Sequence, residues 1–431
     1  MRGYGKMIEI NDSVVNNYDV TAISRTLNSQ IKKESIKELG ELELKDKNVL
    51  ALKQGNMIYL LDKISEFPTI ENSSERLKDP NYVFDVFWNT MNENYPFFKE
   101  RDIDWPAIQK KYGNGKIKNN RQLKKVLKKI IGQLNDGHTT LIAKNYSDSD
   151  SHPHYRSNNR TSNLENQILN HYVKKPKKHG RSIKGNGLLN YGITGNNVGY
   201  IQINNMMFFS DTYEVPENIS GYDYLFAYLD ASSTNPNHFE EEKLGINSLM
   251  KNILSEFKET DAIIIDIRFN TGGYDVVSLE ILKHFINEET QLYTKKAKLL
   301  SGFTEVQNFS VVPSEHIYNK PVFLLTSYQT ASAPEILALG SMEVKSITRV
   351  GSNTEGIFSD ILEKKLPNGW TLNISNQVYQ NSKGICFENI GIPPHVEIDY
   401  PKNENQFIKS LKRKMKNGDE AIEMVYKLLH K

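Results

Sequence analysis

Residues 321–340 read PVFLLTSYQTASAPEILALG. Residues 321–325 form a short apolar run rich in Val and Phe, which predicts a strand buried on both faces. A polar turn follows, and residues 333–342 predict a helix with Ser332 at its head. Thr330, Ala331, Ser332 and Ala333 therefore occupy a strand-to-helix junction, where backbone N–H groups lack intrahelical partners. A serine at that place has two readings. It caps the helix, or it is a nucleophile beside donors that would receive an oxyanion.

Working outward, the same alternation recurs. Residues 198–203 and 262–267 predict strands, 244–257 and 277–286 predict helices, and further strands are expected over 346–351, 370–380 and 396–398. Strands alternating with helices indicate an α/β layered fold. Directly after the apolar run 262–267 comes Arg268-Phe269-Asn270-Thr271-Gly272-Gly273. Paired glycines allow a sharp turn that exposes N–H groups, suited to an oxyanion or to a phosphate. The loop has neither the Lys-Ser/Thr ending of a P-loop nor the glycine spacing of a dinucleotide fingerprint.

The N-terminal part has a different texture. Short apolar segments at 7–10, 49–52 and 57–61, with a turn at 54–56, predict a small β-rich module over residues 1–67, expected to be an accessory to the rest. Residues 68–80 are polar and punctuated by proline, which predicts a linker. Residues 76–140 are helical. Val83, Phe84, Phe87, Trp88 and Met91 recur at helical spacing, as do Leu123, Val126, Leu127, Ile130, Ile131 and Leu134. The second stripe ends at Asn135-Asp136-Gly137, where Gly137 is expected to let the chain leave the helix and present His138. A histidine in such a turn is either structural or catalytic. Residues 141–196 are rich in Ser, Asn, Lys and His and read as an exposed connection. His152 and His154 lack carboxylate or thiol partners at ligand spacing, so no metal and no cofactor is assigned. A last amphipathic helix around Ile422, Val425 and Leu428 falls in residues 401–431.

Composition bounds the function. The 431 residues are 38% hydrophobic and 25% charged, ordinary globular material for two or three domains, and a net charge of +2 does not point to nucleic acid. One cysteine, Cys386, leaves no internal disulfide and no cysteine cage for a metal. No apolar window is long enough to span a membrane, and the first residues lack a signal core. Localisation stays open: envelope, periplasm or exterior if a signal was removed, cytoplasm otherwise.

Four motifs in order carry a resemblance: Asp136-Gly137-His138-Thr139; Asp266-Ile267-Arg268 with Asn270 and Gly272-Gly273; Thr330-Ala331-Ser332-Ala333-Pro334-Glu335; and Glu388-Asn389 with Gly391 and Pro394. Together they resemble the tail-specific, or C-terminal-processing, serine protease family over most of residues 81–400. The resemblance implies a crotonase-like catalytic α/β layered domain over 197–400, joined to a helical domain and the small N-terminal module. It implies peptide or unfolded-protein substrates and no cofactor. Where one branch of the family places a lysine base, this chain has Ile357. The pattern is instead similar to the tricorn-core-like branch, which implies Ser332 as nucleophile, His138 as base and Glu388 as its orienting carboxylate. Gly272, Gly273 and Ala333 are the implied oxyanion donors. Gly137 stands where that branch can carry an additional serine, and residues 141–196 show no PDZ-like carboxylate loop. Hydrolysis through an acyl-enzyme is the expectation. An inactive peptide-binding protein of the same fold and an esterase are the alternatives, and oligomeric state is left open.

Overall fold

A computed structural model describes residues 2–55, 57–66, 76–143, 159–183, 186–219, 221–233 and 235–430. The chain divides into two compact units. The first comprises Met1–His154, Lys295–Gln307 and Ser359–Tyr379; the second comprises Tyr155–Thr294, Asn308–Phe358 and Gln380–Lys431.

The second unit is built on a seven-stranded sheet in the order Val396–Glu397, Ile347–Gly351, Val322–Thr326, Ala262–Asp266, Val198–Ile203, Leu189–Ile193, Lys177–His179. The first five strands run parallel, Leu189–Ile193 runs antiparallel to them, and Lys177–His179 pairs antiparallel with Leu189–Ile193. Every residue of Ala262–Asp266 and Val322–Thr326 is buried, as strands covered on both faces require. Successive side chains point to opposite faces. Val198, Tyr200, Ala262, Ile264, Phe323 and Leu325 pack with apolar residues of helices Asn159–Tyr172, Glu404–Lys414 and Glu420–Leu429. Fully burying a Val, Ile, Leu or Phe side chain among these is worth about 1.5–3 kcal/mol. Helices Asp275–Leu282 and Ala333–Gly340 start from loops at the carboxyl ends of Ala262–Asp266 and Val322–Thr326. Open parallel sheets commonly hold their ligands at the carboxyl ends of their strands, where these two loops lie.

The segment read as an exposed connection differs from expectation. Asn159–Tyr172 is a helix whose Leu164, Ile168 and Leu169 are fully buried, and Lys177–His179 and Leu189–Ile193 extend the sheet. Positions 164, 168, 169 and 172 make a narrow apolar stripe, which the surrounding Asn, Lys and His residues outweigh in average polarity. His152 and His154 lie outside the described residues.

In the first unit, a seven-stranded antiparallel sheet has the order Arg25–Lys32, Val14–Val20, Lys6–Ile10, Arg2–Gly3, Met57–Asp62, Val49–Gln54, Glu41–Leu44. The hairpin expected near 54–56 pairs Gln54 with Met57, while Asn56 lies outside the described residues. Helices Pro80–Asn94, Trp105–Tyr112 and Asn120–Leu134 follow, and a small sheet joins Thr140–Ile142 to Thr371–Ser375 and Ile361–Lys365. The N-terminal sheet is bonded to both. The Ala22 N–H donates to Glu93 at 2.8 Å, Tyr82 donates to the Ile23 carbonyl at 3.1 Å, and the Lys365 N–H donates to Asp19 at 2.7 Å. Of the predicted linker, residues 68–75 lie outside the described residues. Among the described residues no helix is long and apolar enough to cross a membrane.

Candidate active site

Ser332 opens the helix Ala333–Gly340 with φ 65° and ψ −130°, a conformation that L-residues avoid. Its surroundings hold it there. The Ser332 N–H donates to the Ile357 carbonyl at 3.1 Å and to the Glu335 carboxylate at 3.3 Å, and the Glu335 N–H returns to the Ser332 carbonyl at 2.7 Å. The preceding Ala331 N–H donates to the Asn270 carbonyl at 3.2 Å, and Thr330 Oγ1 donates to the Ile267 carbonyl at 3.0 Å. Two bonds therefore tie the serine turn to the glycine loop. Backbone strain of this kind costs about 1–3 kcal/mol and survives only where neighbours over-determine it.

Glu335 is the main brace. Fully buried, it accepts the Gly356 and Ile357 N–H groups at 2.7 Å each, and burial pushes its carboxyl up to about 8. The Ser332-x-x-Glu335 spacing is that of a capping box and was legible in the sequence, although the reach of Glu335 to residues 356 and 357 was not.

The glycine loop follows strand Ala262–Asp266. Gly272 and Gly273 have φ of 147° and 139°. A Cβ on Gly273 would lie 2.3 Å from the Met206 carbonyl carbon, because the loop pairs with residue 206: Met206 N–H to Gly272 carbonyl at 2.8 Å, Tyr274 N–H to Met206 carbonyl at 2.6 Å. Only glycine fits. The Gly272 N–H is used, donating to Asn270 Oδ1 at 3.1 Å, whereas among the described residues no hydrogen bond forms from the Gly273 N–H. Ala333, first in its helix, keeps the unpaired N–H of any helix start. Of the three expected oxyanion donors, Gly273 and Ala333 thus have N–H groups to offer, and Gly272 holds the loop.

Glu388 is buried and accepts the Phe358 N–H at 2.9 Å. Its loop is fastened by the Asn389 N–H to the Gly356 carbonyl at 2.7 Å. The stretch 356–358 therefore touches Glu335, Ser332 and Glu388. Ile357, standing where a lysine base would be expected, is buried and serves through its backbone.

His138 belongs to the first unit. Its Nδ1 lies 2.6 Å from the Ser359 carbonyl; a carbonyl can only accept, so Nδ1 donates in this contact. Asp136 builds this turn. Its carboxylate accepts the His138 N–H at 3.0 Å, Tyr95 OH at 2.9 Å, Thr139 Oγ1 at 3.0 Å and Ser375 Oγ at 2.9 Å. The helix Asn120–Leu134 ends through Asn135, which takes the left-handed conformation at φ 50°, and not through Gly137 as the sequence suggested. Arg101 closes the freed carbonyls of residues 134 and 135 at 3.2 and 2.6 Å. The lysines nearest in sequence to the expected base position are engaged elsewhere. Lys364 is fully buried, donates to the Tyr4 carbonyl and lies 3.6 Å from Asp19; Lys365 donates to Thr371 at 2.5 Å.

Residues 197–398 match Peptidase family S41, and residues 77–132 match the Tricorn protease C1 domain. The carboxy-terminal processing protease CtpB of Bacillus subtilis is 32% identical over 148 residues, 34% of this chain and 29% of that protein. A carboxyl-terminal-processing protease of Synechocystis is 24% identical over 176 residues, 40% of this chain and 38% of that protein. The chain thus spans well under half the length of these curated relatives. Among solved structures, a candidate peptidase from Parabacteroides merdae has a TM-score of 0.61 at 21% identity, covering 83% of this chain and 97% of that one. Mature CPAF complexed with lactacystin has a TM-score of 0.53 at 11% identity, covering 83% and 100%. At these identities the structural likeness speaks to the fold.

Proposed function

We propose that the chain is a member of peptidase family S41, the tail-specific or C-terminal-processing proteases, and a serine-type endopeptidase of the tricorn-core-like, Ser-His-Glu style. Its substrates are peptides or unfolded proteins. The reading rests above all on Ser332. A half-buried serine at positive φ, following a parallel strand and directly preceding the helix-start N–H of Ala333, supports the reading of a nucleophile beside an oxyanion hole.

Ser332 Oγ attacks the peptide carbonyl carbon and passes its proton to His138 Nε2. The carbonyl oxygen becomes the oxyanion, received by Gly273 and Ala333. His138, now protonated, gives that proton to the leaving amine as the C–N bond breaks, and water releases the acyl group by the same steps in reverse order. Glu388 supplies the negative charge that favours the imidazolium.

A fluorophosphonate probe should label the wild type and leave Ser332→Ala unlabelled, and a peptide-library digest should show wild-type cleavage that the variant lacks. Equal labelling or equal turnover by the two would remove Ser332 from the reaction. Labelling with ester turnover and no peptide cleavage would favour an esterase instead.

A further inference from the structure

Beneath the glycine loop lies a buried charge network that catalysis as described does not use. Arg268, Asp266 and Asp419 have fully buried side chains. Arg268 Nε and Nη2 donate to Asp266 at 2.9 and 2.6 Å, while Nη1 donates to both Asp419 oxygens at 3.0 and 2.9 Å and to Tyr400 OH at 3.0 Å. One cation thus sits between two carboxylates. Asp419 is also the N-cap of helix Glu420–Leu429, accepting the Ala421 and Ile422 N–H groups at 3.1 and 3.3 Å.

The backbone of Arg268 is equally committed. Its carbonyl accepts Ser327 Oγ at 2.6 Å, at the start of the loop that leads to Ser332. Two residues on, Asn270 receives the Gly272 N–H on its side chain and the Ala331 N–H on its carbonyl. Arg268 is therefore the point from which both the glycine loop and the serine turn are hung, and a planar guanidinium with every arm bonded has one orientation. Asp419 lies beyond the family-matched residues 197–398, so the C-terminal helix supplies one of the two counter-ions.

We propose that Asp419 is a positioning residue: through Arg268, the C-terminal helix braces the oxyanion loop and the Ser332 turn. Losing the Asp419 charge leaves the buried guanidinium with one anionic counter-ion in place of two, and an NH2 donor where one acceptor oxygen stood, so the loop above gains freedom. The kinetic half of this inference rests on the protease reading; the structural half does not.

The test uses the full chain with Asp419→Asn, and with Tyr400→Phe, which keeps both carboxylates and deletes the neutral bond. Amide hydrogen exchange is followed in peptides covering 267–274 and 327–333. On a peptide substrate taken from the library digest, kcat and KM are measured below the unfolding transition, together with inhibition by a peptide aldehyde whose adduct with Ser332 carries the oxyanion. Asp419→Asn should exchange faster in both segments, lose about tenfold or more in kcat with KM within about threefold, and lose aldehyde affinity in parallel. Tyr400→Phe should move the same way by less. Unchanged exchange in a folded variant, or wild-type kcat and aldehyde affinity despite a lower melting temperature, would show a purely structural network and overturn the brace. Should Asp419→Asn fail to fold, Tyr400→Phe is held to the same criteria. If the wild type neither cleaves peptides nor takes the fluorophosphonate, the protease reading falls, and the exchange comparison alone decides the brace.

Discussion

Gly273→Ala would place a Cβ 2.3 Å from the Met206 carbonyl carbon, 2.4 Å from its oxygen and 2.7 Å from its Cα. Ordinary contact begins at 3.4 Å, so the two backbones must part by about 1 Å, and neither is the end of a flexible side chain. That movement breaks the Met206–Gly272 and Tyr274–Met206 hydrogen bonds, worth about 1 kcal/mol each, and alanine at φ 139° adds about 1–3 kcal/mol of strain. Stability should fall by about 3–5 kcal/mol. The catalytic loss has a separate origin. A displacement of about 1 Å carries the Gly273 N–H away from the oxyanion, which typically costs about a hundredfold in kcat, and complete loss of such a donor up to about a thousandfold. The assay is kcat and KM on one peptide, with unfolding midpoints measured alongside. Gly302→Ala is the control: φ is 89° there, yet nothing lies within 4 Å of the added Cβ, so strain is imposed without a clash. It should lose about 1 kcal/mol or more and keep its turnover. Wild-type kcat in a folded Gly273→Ala protein would refute the assignment of this N–H to the oxyanion.

Burial raises Glu335 to about 8 from an ordinary 4.5. The folded state thus holds a proton that the unfolded chain releases, and this contribution to stability is complete below pH 4.5 and is lost at about 1.4 kcal/mol per pH unit as pH rises toward 8. Glu335→Gln should flatten the stability profile across that window, and an unchanged slope in denaturant titrations would contradict it. His138→Ala should lose about a hundred- to ten-thousandfold in turnover, whereas Lys364→Met should lower the melting temperature and leave the turnover of folded protein intact. Collapse of activity in folded Lys364→Met with near-wild-type His138→Ala would reinstate a lysine base. A chain beginning at residue 76 should be insoluble, because removing the N-terminal sheet strips partners from Glu93, Tyr82, Lys364 and Lys365. Recovery of that shorter chain as soluble, active protein would show that the N-terminal sheet is dispensable.

Several elements are local enough for the sequence to determine. The stripe Leu123, Leu127, Ile130 and Leu134, the apolar runs behind Ala262–Asp266 and Val322–Thr326, and the helix headed by Ser332 each follow from the spacing of residues within one or two turns. The ordered motifs around Gly272-Gly273, Ser332 and Glu388 were likewise present in the sequence, because a motif is a matter of residue identity and order. What tertiary structure alone decided depends on partners distant in the chain. The helix Asn159–Tyr172 is held by a narrow stripe whose worth appears only once Leu164 and Ile168 meet the sheet. The positive φ of Ser332 exists because Ile357 and Glu335 hold its N–H, and Gly273 must be glycine because Met206 passes beside it. Asp136 reaches Ser375 across 239 positions, and Arg268 reaches Asp419 across 151. Spacing along a chain encodes periodic burial, but a buried hydrogen bond between remote residues is selected by the energy of leaving either partner unpaired, and that energy exists only after the fold has brought them together.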